Sequence, residues 1–352
     1  MCKKNKLTKP KKKEIVFGKT KSRLAKGEKK MKKWMKLVLV IAVMSVIFVA
    51  GCKDDTTDPD VSAFETVTNY MDDNGMTVTE LFDGWITTAS AVVDTVTYTV
   101  PDYYVMDIRS QAHYDTLGHI EGAVHSSLGT IVTDAALADK PIIVVCYSGQ
   151  SAGHAVMALR LSGYSDAKSL KWGMSGWNSV FDVWSGNTNQ LNHANWEAAP
   201  GLVADAEIFD YPEIDSDTED GAGILLERVA AMLEGGFKGI TALDGDTTVG
   251  ALDNPGDFFI NNYWAAEDVA TYGNIQTAYR INPLVLENLD AASTIVTYCW
   301  TGQTSSMVTA YLNVLGYDAK SLKFGVNGII YDDLLGHKWA ASMDYDYVVT
   351  TP

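Results

Sequence analysis

The feature that most limits what this chain can fold into is a block that occurs twice. IIVVCYSGQSAGHAVMALRLSGY runs from Ile142 to Tyr164, and TIVTYCWTGQTSSMVTAYLNVLGY from Thr294 to Tyr317. In each, a β-branched run ends in a cysteine, a small polar loop follows, and apolar residues then recur at helical spacing. The unbroken apolar run Ile142 to Val145 suits a strand buried on both faces. Ala152, Ala155, Val156 and Leu159 predict a helix with one apolar face, stopped at Gly163.

The repetition extends beyond these blocks. GYSDAKSLKWGMSGW (Gly163 to Trp177) matches GYDAKSLKFGVNGI (Gly316 to Ile329), and GHIEGA (Gly118 to Ala123) matches GNIQTA (Gly273 to Ala278). The cysteines lie 153 residues apart, the shared DAKSLK cores (from Asp166 and Asp318) 152 and the GHIEGA and GNIQTA blocks 155, the signature of one duplicated domain with small insertions. Within the first copy, a helix is expected from Ala63 to Met71, a strand from Tyr103 to Met106 and another starting at Ser169. Such alternation predicts an α/β fold, each domain a mostly parallel sheet flanked by helices. Ligands of such sheets bind beyond the carboxyl ends of the strands, which is where Cys146 falls. The division expected is 1–51, a basic N-terminus and export signal; 52–62, a tether; 63–200, domain 1; and 201–352, a divergent domain 2.

Charge separates the N-terminus from the rest. Of 28 Lys and Arg, 16 lie within the first 36 residues beside only two acids, which leaves 12 basic against 42 acidic residues and a net of −30 for the remainder. A body this acidic repels nucleic acid and anionic headgroups. MKKWMKLVLVIAVMSVIFVAGC (Met31 to Cys52) has the basic start, short apolar run and small residues of an export signal. Val49-Ala50-Gly51-Cys52 resembles the lipobox of bacterial lipoproteins, in which the cysteine is acylated. That resemblance implies lipidation at Cys52, export, and a membrane anchor on the periplasmic side of the cell envelope.

With Cys2 and Cys52 set aside, two thiols remain, Cys146 and Cys299, with no CxxC and no zinc spacing. No metal and no organic cofactor is expected. A cysteine after a buried strand and before a helix lies near unpaired backbone N–H groups, which favour an anionic sulfur. Tyr147, Ser148, Gly149, Gln150 and Ser151 would form the cradle, with Trp300, Thr301, Gly302, Gln303 and Thr304 its second copy. Such a cradle suits a thiolate and equally a persulfide. A phosphatase loop would need an Arg where Ala152 and Ser305 stand. A papain-like enzyme would need a His base, and His154 lies in the following helix.

VMDIRSQAHYDTLGHIEGAVHSSL, VVCYSGQSAGHAVMALRLSGY and LKWGMSGW, in that order, resemble the rhodanese family. Asp107 and Arg109 match its Asp-x-Arg pair, Gly118-His119-Ile120 its GHIxGA block, and Cys146 its catalytic cysteine. The resemblance implies two tandem rhodanese-like domains and sulfur transfer through a persulfide on Cys146, with Cys299 a second candidate. It also implies a small sulfur donor, of thiosulfate or 3-mercaptopyruvate type, and a thiol or cyanide-like acceptor. Asp107, Arg109 and His119 are expected to support the fold and loop. CYSGQS and CWTGQT carry no cation and look like the uncharged loop of mercaptopyruvate sulfurtransferases, so an anionic donor would be held by backbone and hydroxyl donors. In the second copy the Asp-x-Arg positions are Asn262 and Trp264, and His119 becomes Asn274. A non-catalytic binding or sulfur-carrier module is the alternative reading.

Overall fold

The computed structural model describes residues 61–201 and 203–350. The export signal, Cys52 and most of the tether lie outside the described residues. The fold opens at Ser62, whose hydroxyl accepts the Glu65 N–H (3.2 Å) while its own N–H donates to the Glu65 carboxylate (3.1 Å). This reciprocal cap satisfies two donors that the first turn would leave unpaired, and helix α1 (Ala63–Asp73) follows.

Five strands form the first sheet: β1 (Ile86–Thr87), β2 (Tyr104–Asp107), β3 (Val124–His125), β4 (Ile142–Val145) and β5 (Lys168–Leu170). Their spatial order is β1-β5-β4-β2-β3, every pair parallel. Parallel neighbours need crossovers. Helix α2 (Gln111–Leu117) lies between β2 and β3, and helix α3 (Gln150–Leu161) between β4 and β5. In the second half, β7 (Gly239–Ile240), β8 (Phe259–Asn262), β10 (Ile295–Tyr298) and β11 (Ala319–Leu322) run in the order β7-β11-β10-β8, again all parallel. That is the order of β1-β5-β4-β2, so both cysteines follow a central strand. The second half's helices are α4 (Gly221–Glu234), α5 (Ala266–Tyr272) and α6 (Gln303–Val314).

Strand alternation sends each central strand's residues to two cores. Ile142 and Val144 join a cluster with α1, α3, α4, α6 and Ile295 of β10. Ile143 and Val145 point the other way, towards Ile120, Leu170, Met174 and Trp177. Val296 and Tyr298 likewise enter a separate cluster whose buried residues all come from the second half, with Leu191 and Trp196 packed against it. A helical layer shared by both halves thus separates the two sheets.

Helix α3 departs from its expected amphipathic form. Every residue from Ala152 to Leu161 is buried. The sequence predicts one apolar face because it reveals only the contact with the helix's own sheet. The opposite face packs against α6. Gly153 permits the close approach, since a Cβ there would collide with Ser306 of α6. Arg160 is tolerated inside because its guanidinium donates to the carbonyls of Leu81 (2.9 Å), Asp83 (2.7 Å) and Ala167 (2.9 Å).

The segment after each repeated block crosses to the other half. Asn189 and Leu191 donate to the carbonyls of Asn327 (2.9 Å) and Ile329 (2.8 Å). Strand β6 (Trp196–Glu197) then pairs antiparallel with β9 (Asn274–Ile275). In the converse direction, Met343 and Tyr345 donate to Gly176 and Trp177 (3.0 Å each), and Val348 bridges antiparallel to His119. Among the described residues, no helix is long and apolar enough to cross a membrane.

Candidate active site

Strand β4 delivers Cys146 to the sheet's carboxyl edge, where the chain must turn sharply into α3. Gly149 makes that turn with φ +83°, a left-handed conformation that costs glycine little. The turn points backbone donors inward: the N–H of Gly149 lies 3.1 Å from the Cys146 Sγ, and that of Ala152 3.4 Å. The thiol is free and 4% exposed. Tyr147, Ser148 and Ser151 keep part of their surface open, whereas Gln150 is buried.

A second turn clamps the loop from behind. Trp172 (φ +68°) and Gly173 (φ +59°) reverse the chain after β5. Met174 and Ser175 then donate to the carbonyls of Cys146 (2.8 Å) and Tyr147 (3.0 Å). Gly173 has no alternative here, because a Cβ would collide with the carbonyl oxygen of Cys146.

Asp107 and Arg109 form a buried ion pair, with Arg109 Nη2 2.6 Å from the carboxylate and each side chain 1% exposed. Arg109 also donates to the Gly118 carbonyl (2.6 Å) and sets its guanidinium 5.1 Å from the centre of the Tyr147 ring. The pair therefore supports the residue beside the cysteine and does not touch the sulfur. His119 bonds through Nδ1 to the Tyr114 carbonyl (3.0 Å) and stacks on the Tyr114 ring at 3.7 Å.

The second loop has the same shape with different support. Gly302 turns at φ +74°, and Val326 and Asn327 donate to the carbonyls of Cys299 (3.1 Å) and Trp300 (3.2 Å). Ser305 stands where the first loop has Ala152: its N–H donates to the Cys299 Sγ (3.3 Å), and its hydroxyl lies 3.5 Å from that sulfur. Cys299 is 2% exposed. Burial, with Cys299 adding, pushes the nearby Tyr263 hydroxyl up to about 12. The ion pair is gone. Trp264, at the place of Arg109, stacks on Trp300 at 4.2 Å, and His337 stacks on the same ring at 5.1 Å. Ring stacking replaces the cation over the ring, so the residue after the cysteine is still held.

Three features escape sequence reasoning. Gln150 and Gln303, expected as substrate-facing loop residues, turn inwards, with exposures of 3% and 1%. Each reaches the opposite half: Gln150 Oε1 accepts the Phe324 N–H (2.9 Å) and Gln303 Oε1 the Trp172 N–H (3.0 Å). Trp184 and Trp339 join Trp172 and Phe324 in an aromatic cluster, Trp184 lying 4.7 Å from Trp172 and 5.0 Å from Phe324. Finally, Ser305 adds a hydroxyl to the second sulfur. Among the described residues, no cluster of His, Cys, Asp or Glu could hold a metal ion.

Comparison with known proteins bears on the region that contains the first loop. The model of the rhodanese-like domain matches residues 94–180. Thiosulfate sulfurtransferase GlpE of Pseudomonas paraeruginosa is 40% identical over 79 residues, 22% of this chain and 71% of that protein. Its counterpart in Pseudomonas fluorescens is 40% identical over 88 residues, 24% of this chain and 80% of that protein. Among solved structures, a thiosulfate sulfurtransferase from Pseudomonas aeruginosa covers 70% of this chain and 43% of its own, at 15% identity and a TM-score of 0.24. A rhodanese-related protein from Thermoplasma volcanium covers 26% of this chain and 88% of its own, at 19% identity and a TM-score of 0.23. On the strength of the matched region, which contains Cys146 and its cradle, this chain belongs to the rhodanese-like family.

Proposed function

We propose that the protein is a sulfurtransferase that carries sulfane sulfur on Cys146. The observation that supports this most directly is the sulfur at the end of a central parallel strand, with the Gly149 and Ala152 N–H groups turned towards it. Those donors stabilise negative charge on sulfur without a side-chain cation. With thiosulfate, the Cys146 thiolate attacks the outer sulfur. The bond between the two donor sulfurs breaks, and sulfite leaves with the electron pair. The product is Cys146–S–S⁻. A donor of 3-mercaptopyruvate type would instead lose its carbon–sulfur bond, with pyruvate enolate departing. A thiol or cyanide-like acceptor then attacks the outer sulfur and releases the thiolate. The names of the curated relatives favour thiosulfate as the donor.

Both halves act, in this reading, as rhodanese-like domains meeting near residue 200, with Cys299 a second carrier of sulfur. Lipidation at Cys52 would hold the protein on the periplasmic side of a membrane. Intact mass of the purified protein after incubation with thiosulfate tests the chemistry. The expected result is a gain of about 32 Da, reversed by cyanide and absent in Cys146→Ser. A second gain, lost in Cys299→Ser, would mark the second loop as active. A folded protein that gains no mass from thiosulfate or 3-mercaptopyruvate would overturn this reading in favour of a binding module.

A further inference from the structure

The two cysteine loops are tied together by their glutamines. Gln303 begins α6, yet its Oε1 accepts the N–H of Trp172 in the first half (3.0 Å). The same oxygen lies where a Cβ on Gly149 would be, so it packs directly on the glycine whose N–H reaches the Cys146 sulfur. Trp172 opens the turn whose next residues bond the Cys146 and Tyr147 carbonyls. Gln303 therefore touches the front of the first loop and anchors the clamp behind it. Gln150 repeats the arrangement in reverse. It begins α3, accepts the Phe324 N–H (2.9 Å), and occupies the place of a Cβ on Gly302. Phe324 opens the turn that bonds the Cys299 and Trp300 carbonyls.

Packing alone does not account for an amide at position 303. Its Nε2 is buried without a hydrogen-bond partner, a state that disfavours glutamine against an apolar side chain of equal size. The acceptor oxygen is what the site uses. We propose that Gln303 is a positioning residue for Cys146, and Gln150 for Cys299, so that each half completes the cysteine cradle of the other. The second half has exchanged Asp107 and Arg109 for Asn262 and Trp264 but still presents CWTGQT. The first loop needs Gln303 in place whether or not Cys299 turns over.

The consequence for sulfur transfer rests on the persulfide reading above, so the experiment has two arms. Gln303→Met keeps the volume and removes the acceptor. In the full chain, amide hydrogen exchange should quicken across residues 146–152 and 172–176, in the half that was not mutated. Gln150→Met should quicken exchange across 299–305 and 324–327. At saturating thiosulfate the rate constant for sulfur loading on Cys146 should fall about tenfold in Gln303→Met, with the half-saturating concentration unchanged. A structural role alone would lower the melting temperature and leave that rate constant, per folded molecule, as it was. Should Gln303→Met not fold, Gln303→Asn withdraws the oxygen by one methylene and carries the same expectations. Exchange that quickens only in the mutated half, or not at all, overturns the proposal. If the unmodified protein loads no sulfur, the persulfide reading fails, while the crossed exchange pattern still decides the positioning role.

Discussion

At the scale of single residues, the most consequential side chain outside the site is His154. It lies midway along α3, fully buried, and neither ring nitrogen finds a hydrogen bond of good geometry. Burial pushes its pKa down from 6.5 to about 4; the Ser306 backbone offsets this in part, while the positive charge of Lys238 adds to it. The sign follows. Between these two values the unfolded chain takes up a proton that the folded chain refuses. Stability from this group is therefore complete above about pH 6.5 and declines as pH falls towards 4. The shift corresponds to about 3 kcal/mol. Met307 stands at the equivalent place in the second half. Urea unfolding at pH 7.5 and 4.5 should show the wild type losing about 2–3 kcal/mol more than His154→Met. Equal losses would mean that the folded protein accommodates the imidazolium.

At the scale of elements, the strand, cysteine loop and helix were legible because each carries a local signature. Ile142 to Val145 is apolar throughout, and all four residues are buried. Gly149 and Gly302 mark the left-handed turns. The inward course of Gln150 and Gln303 was not legible, since a polar residue in a loop reads as solvent-facing until the opposite turn supplies its N–H. The full burial of α3 was hidden for the same reason: its second face meets α6, which starts 153 residues further along the sequence, a contact that no local periodicity records. The turn behind the cysteine gives a direct test of how rigid the cradle must be. Gly173→Ala places a Cβ against the Cys146 carbonyl and the Gly149 nitrogen at positive φ, and backbone cannot step aside as a flexible side chain could. A loss of about 2–4 kcal/mol in stability is expected and, under the proposed sulfurtransferase activity, slower sulfur loading of Cys146 among the molecules that remain folded. Gly163→Ala is the control. It shares the positive φ (+95°) but meets nothing within 4 Å, and should cost about 1 kcal/mol without changing the loading rate.

At the scale of the whole molecule, the halves are held together by exchange as well as by the shared helical layer. The segment 189–197 lies along the second half and the segment 342–348 along the first. A boundary at residue 200 divides the sequence repeat, but the backbone hydrogen bonds on either side of it do not respect that division. The C-terminal segment is bonded to the first half at two places: His119 exchanges backbone bonds with Val348 (2.8 and 2.9 Å), and the Trp177 indole donates to the Asp346 carbonyl (2.8 Å). Gly118, whose carbonyl receives Arg109, is pressed so closely by Tyr347 that a Cβ would collide with the ring. Removing residues 341–352 would strip these bonds from the first half while leaving the sequence of that half untouched. Each bond is worth about 1 kcal/mol, and the entropy regained by the freed segment offsets part of the sum. A net loss of about 2–4 kcal/mol is expected, read as a lower urea midpoint with an unchanged slope. Hydrogen exchange should locate the loosening at 118–120 and 175–178, far along the chain from the cut. Loosening confined to the second half would show that the segment merely rests on the first half, and the exchange of tails would then contribute nothing to its stability.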